Sequence, residues 1–137
     1  MDLSNRKQTN ETSTIELYDP ETGEVIRNEN GTAMTVTVYG KDSKHYRKID
    51  HDITNRNIAK ASRAGRVSVT AEQLEAQERE RIARCISAWD ITFEGFAPPP
   101  LSVGEAERIM RELPWLQEQL ESAMADRSAF FKASLEA

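Results

Sequence analysis

The chain has 137 residues, of which 38% are hydrophobic, 30% charged and 7% aromatic, and its formal net charge is −5. That is the size of one domain with a modest core, and no apolar run approaches the ~18–20 residues that span a bilayer. The polar opening "MDLSNRKQTNETST" lacks the apolar stretch of a signal peptide, and the single cysteine, Cys85, excludes an internal disulfide and points to a reducing cytoplasm.

The charge is unevenly spread. Residues 1–40 carry three basic and seven acidic side chains, residues 41–66 eight and three, and the remainder seven and thirteen. A basic middle between acidic ends either binds nucleic acid or pairs with the acidic part of its own or a neighbouring chain, and self-pairing is the favoured reading.

In chain order, residues 1–13 are polar and aperiodic and are expected to be flexible. "TIELYDPETGEVI" then predicts two strands around a turn, with Ile15, Leu17, Val25 and Ile26 as the extended apolar positions. "TAMTVTVYG" alternates Met34, Val36 and Val38 with threonines and predicts a third, so residues 14–40 read as a three-stranded antiparallel meander. From Asp42 the period becomes helical, with Tyr46, Ile49 and Ile53 on a narrow apolar face and Gly65 as a stop.

A second helix begins at the capping box "TAEQ" near Thr70, and Leu74, Ile82, Cys85, Ile86 and Trp89 line one of its faces. Gly95 and the prolines 98–100 end it. "SVGE" from Ser102 caps a short helix with Ala106, Ile109, Met110 and Leu113 inward, and Pro114 opens another carrying Trp115, Leu116, Leu120 and Met124 towards Phe130 and Phe131. The predicted fold is α+β and mostly α: a small N-terminal sheet and about four helical segments. Its parts are a flexible 1–13, a sheet with a basic helix over 14–66, and a helical 67–137 in one domain with it.

No reactive constellation emerges. His45 and His51 are six apart, and with one cysteine they make no zinc spacing, so both read as exposed members of the basic surface. Cys85 reads as a small hydrophobe. The carboxylates are interleaved with arginines on solvated faces, and the six glycines are scattered as punctuation rather than gathered into a phosphate loop. No catalytic residue, metal ligand or cofactor is assigned. The basic segment offers Lys44, Arg47, Lys48, Arg56, Lys60, Arg63 and Arg66, a surface for phosphates. Against this stand the acidic chain and Asp42, Asp50 and Asp52 within or beside the segment, so nucleic acid is not expected. The aromatics Trp89, Phe93 and Phe96, then Trp115 and the Phe130–Phe131 pair, either fill the core or supply a docking surface.

The ordered landmarks of residues 80–132 resemble the tail assembly chaperones of long-tailed bacteriophages. In that family a helix ends in an Ile-x-x-Trp-like step, here Ile86 to Trp89. A glycine turn follows, here Gly95, then a Pro-Leu-Ser-like cap, here Pro100 to Ser102. The next helix ends in a proline-aromatic step, here Pro114–Trp115, and a final helix closes on Asp126 and the Phe130–Phe131 pair. The triple proline and "DITFEGF" are richer than the pattern requires.

The resemblance implies a non-catalytic protein of the infected bacterium's cytoplasm, absent from the finished virion. Its partner would be the long helical tape measure protein, kept soluble while tail tube protein polymerises around it, with the tail tube protein as a second candidate partner. The resemblance also implies a longer frameshifted form in many phages. Leu116, Leu120, Met124, Phe130 and Phe131 are then the expected partner-binding face, with self-association as a further possibility. Trp89, Trp115, Gly95, Pro100 and Ser102 are expected as structural anchors, with Ala83–Ser102 a hinge-like corner orienting two helix pairs. The nearest rival is a small head or tail component retained in the virion, and a nucleic-acid-binding regulator using residues 41–66 comes third.

Overall fold

The alternation of β-branched residues with threonine in "TVTVY" gives strand β2, Thr35–Tyr39, whose Val36 and Val38 are wholly buried. The computed structural model describes residues 2–65 and 69–131. Strand β1, Thr12–Glu16, pairs antiparallel with β2, Ile15 opposite Val36 and Ser13 opposite Val38. The other neighbour of β2 is β3, Ile86–Asp90, again antiparallel, so the sheet order is β1-β2-β3. The register slips by one residue near Val38, where Ser87 is the extra residue of a bulge.

The fold is α+β and mostly helical, as the sequence predicts, but the third strand is not the expected one. Val25 and Ile26 form no strand: isolated bridges, Tyr18 with Val25 and Arg27 with Ala33, and backbone hydrogen bonds from Ile26 to Leu17 and from Met34 to Ile26 hold the 18–33 excursion together. Buried Asn28 fastens it, donating to the Thr32 hydroxyl and accepting from that of Thr92 at 2.6 Å. Residues 86–90, expected to continue the second helix, leave it instead. Ile82, Ile86 and Trp89 satisfy a helical spacing, yet Ile86, Trp89 and Ile91 also fit an extended chain, and pairing with buried β2 decides between them.

Four helices complete the fold. Helix α1, Lys44–Ala64, is capped by Ser43 and ends on Gly65 in the left-handed region, with Ile49 and Ile53 buried. Helix α2, Ala71–Arg84, carries the reciprocal capping box of Thr70 and Gln73. Helix α3, Val103–Glu112, starts from the Ser102 hydroxyl, and α4, Pro114–Ala125, begins on its proline. Helix α2 packs against α1, α3 and α4.

The first residues are more tied down than expected. Leu3–Arg6 form a 3-10 turn and β1 begins at Thr12. The Asn10 amide donates to the carbonyl of Phe130 at 2.9 Å, fixing the 3-10 turn Arg127–Phe130 alongside the entry to β1. Arg127 sits 2.7 Å from Asp42, and that guanidinium, helped by Gln8, holds the Asp42 carboxyl below the usual carboxylate range.

Candidate docking groove

The expected partner-binding face is core. Leu116, Leu120, Met124 and Phe130 are at most 4% exposed, so none is available to a partner, and Phe131 is half-buried. The reason is the small sheet: the apolar face of β2 needs a cover, and the row 116, 120, 124 on α4 supplies it.

What α4 leaves to solvent is the adjoining row. Trp115, Gln119, Ser122 and Asp126 stand at helical spacing beside Glu118 and Ala123, and they form one wall of an open groove of about 470 Å³. Ile15, Glu16, Tyr18 and Pro20 form the other. The floor is apolar, with Ile15, Trp115 and Ala123 half-buried, and the rim carries Glu16, Glu118 and Asp126, all exposed. Among the described residues none of these three carboxylates has an ion-pair partner.

Helix α4 runs antiparallel to β1 along the groove. Gln119 lies at Tyr18, and the turn after α4 reaches Asn10. The Gln119 carboxamide accepts from the Tyr18 amide at 3.0 Å and donates to the Tyr18 carbonyl at 2.7 Å. Trp115, an expected anchor, therefore stands in the groove. Sequence reasoning missed Ile15, Glu16, Tyr18, Glu118 and Gln119; the row 115, 119, 122, 126 was the available signal for the helical wall.

The other anchors lie elsewhere. Trp89 sits on β3 opposite Val36, half-buried against the core, and its indole N–H donates to the carbonyl of buried Pro99 at 2.9 Å. Glu94 and Gly95 both have positive φ, 49° and 85°, and Phe93 and Phe96 exchange backbone hydrogen bonds across them, so this stretch is a tight two-residue hairpin. Arg108 of α3 holds it, 2.9 Å from Glu94 and over the Phe93 ring. Pro100 is exposed and Ser102 caps α3. The Ala83–Ser102 stretch is thus a helix end, a sheet strand and a pinned hairpin rather than a corner between two helix pairs.

The basic segment is partly absorbed by its own chain. Arg56 lies 2.7 Å from Glu80, while Asp50 and Asp52 of α1 meet Arg81 and Arg84 of α2. Asn57 and Gln77 exchange side-chain hydrogen bonds between the same helices. Self-pairing is therefore present, though much of it runs from the acids of α1 to the arginines of α2. Lys44, Arg47, Lys48, Lys60 and Arg63 are exposed and without ion pairs among the described residues, and Arg66 lies outside those residues. His45 is not a surface residue of the expected kind: its ring stacks on Tyr39 at 3.9 Å and Nε2 hydrogen-bonds the Arg84 carbonyl. His51 is exposed. Cys85 is fully buried, and desolvation pushes its thiol up to about 12.

No family model, curated protein or solved structure matches the chain. The site therefore rests on its own geometry. Among the described residues no helix is long and apolar enough to cross a membrane, and no three His, Cys, Asp or Glu side chains stand together as a metal centre.

Proposed function

We propose that this chain is a non-catalytic docking protein, a tail assembly chaperone of a long-tailed bacteriophage that binds the tape measure protein in the host cytoplasm and keeps it soluble. The observation that carries the reading is the groove between β1 and α4, with an apolar floor of Ile15, Trp115 and Ala123 under a rim of the carboxylates Glu16, Glu118 and Asp126. Open, shallow, apolar-floored grooves with polar rims suit polypeptide segments rather than small substrates. The sequence landmarks from Gly95 to Phe131 support the choice of partner, whereas the Ile86–Trp89 step lies on β3 rather than at a helix end.

Co-expression with the tape measure protein of the same genome tests it. The partner is expected to be soluble only with this chain and to elute with it. A partner indifferent to this chain, with the chain found instead in purified particles, would turn the reading into a virion component.

A further inference from the structure

The bonding pattern of β1 shows which of its backbone groups face the groove side. Leu17 donates to Met34, and Gly40 donates to Glu11, so the odd-numbered residues of β1 turn their amides and carbonyls toward β2. The even-numbered ones turn outward. At one end of this edge the Asn10 amide is taken by the Phe130 carbonyl, and at the other both polar groups of Tyr18 are taken by Gln119. Between these stoppers, among the described residues, the outward groups of Thr12, Thr14 and Glu16 have no backbone partner. An unblocked edge of this kind is a template for another strand. The opposite edge of the sheet, β3, is disrupted by the Ser87 bulge.

The free edge and the groove are one feature. Five residues of strand extend about 17 Å, and the twelve residues of α4 about 18 Å beside them. Ser13, Ile15 and Leu17 share the face of Val36 and Val38, so a strand added outside β1 drops every second side chain into the groove toward Trp115 and Ala123. Its charge is chosen by the rim, where Glu16, Glu118 and Asp126 have no ion-pair partner among the described residues. A second copy of this chain would bring the same three carboxylates and a further net charge of −5.

We infer that the β1 edge captures an extended, lysine- or arginine-bearing segment of a partner protein, of about five residues, by strand addition. The inference rests on the docking reading and specifies the occupant: a short basic strand rather than a helix laid in the groove.

The test uses the full chain and three eight-residue peptides. One alternates valine with lysine, one alternates valine with glutamate, and the third is the lysine peptide methylated on alternate backbone nitrogens. Amide resonances are followed during titration. The lysine peptide is expected to shift Thr12, Thr14, Glu16 and the Trp115 indole, the glutamate peptide to leave them unmoved, and the methylated peptide to lose binding. Glu118→Gln is expected to weaken binding roughly threefold to fivefold, as removal of one exposed charge pair does.

Equal binding of the methylated peptide would overturn strand addition, and equal binding of the glutamate peptide would overturn the charge argument. Concentration-dependent shifts of the same amides without peptide would make the occupant a second copy. Thr14→Pro separates this inference from the function it rests on, because it removes an outward amide while leaving the β1–β2 ladder intact. If it leaves peptide binding intact, the edge proposal falls, and docking stands so long as the tape measure protein still co-purifies. If that protein fails to co-purify even with the wild-type chain, the docking reading falls.

Discussion

Gly40 and the ring of Phe130 approach so closely that a β-carbon on the glycine would stand 2.9 Å from Cζ and 3.0 Å from Cε1. The ring is 2% exposed. Gly40→Ala is therefore expected to destabilise the fold by about 1–3 kcal/mol through overpacking, and Phe130→Ala by about 3–5 kcal/mol through the cavity. Urea titrations measure both. A neutral Gly40→Ala would mean that the turn after α4 moves freely from the sheet.

The two neighbouring rows of α4 are expected to respond differently. Leu120→Ala should cost about 2–5 kcal/mol because the side chain is 1% exposed in the core. Glu118→Gln and Ser122→Ala, on the groove side, should stay within about 0.5 kcal/mol of wild type. Thermal melts decide this, and equal losses on both rows would remove the distinction between core and docking wall.

Trp89 combines packing with a hydrogen bond to Pro99. Trp89→Phe is expected to keep most of the packing and lose about 1 kcal/mol for the bond. Trp89→Ala should cost about 3 kcal/mol, the low end for such a truncation because the ring is half-buried. Chemical denaturation of the two variants separates the contributions.

Arg56 beside Glu80 holds the glutamate carboxyl below its usual range, the guanidinium hydrogen bond being the largest cause. A carboxylate with a depressed folded value stabilises above its unfolded value, about 4.3 for glutamate, and loses that contribution as pH falls through the folded value. A double-mutant cycle on Arg56 and Glu80 at pH 7 should give about 0.2–1 kcal/mol, small because Arg56 is 45% exposed, and less in high salt. The coupling should vanish in strong acid, and a coupling that grew on acidification would contradict the assignment.

Cys85 offers an internal probe. With the thiol buried and its ionisation pushed up to about 12, a thiol reagent at pH 8 should react only through opened molecules. The rate should rise with urea in step with unfolding. Rapid reaction of the folded chain would show that the α2–β3 junction opens by itself.

The sequence made most local events legible. The capping box at Thr70 and Gln73, Ser102 as a cap, Gly65 as a stop and Pro114 as a first helical residue are all local chemistry, and each stands where expected. The third strand was illegible because Ile82, Ile86 and Trp89 fit two periods at once, and a partner in β2 some fifty residues away made the choice. The groove was illegible for a related reason. Leu116, Leu120 and Met124 are the most apolar row of α4, and apolarity alone does not distinguish a row that meets a partner from one that meets its own sheet. Edge amides and a carboxylate rim exist only once β1 and α4 are side by side.

The sheet order β1-β2-β3 also bears on how the chain acquires its fold during synthesis. The β1–β2 pair is complete once Tyr39 has emerged, yet it lacks its other neighbour until residues 86–90 follow and its cover until Met124 is free. Long-range pairing of this kind slows folding and leaves apolar strands open in the meantime. The nascent N-terminal half, with Val36 and Val38 uncovered, is then itself the aggregation-prone species, and a stalled or shortened translation product ending before β3 should accumulate as insoluble material.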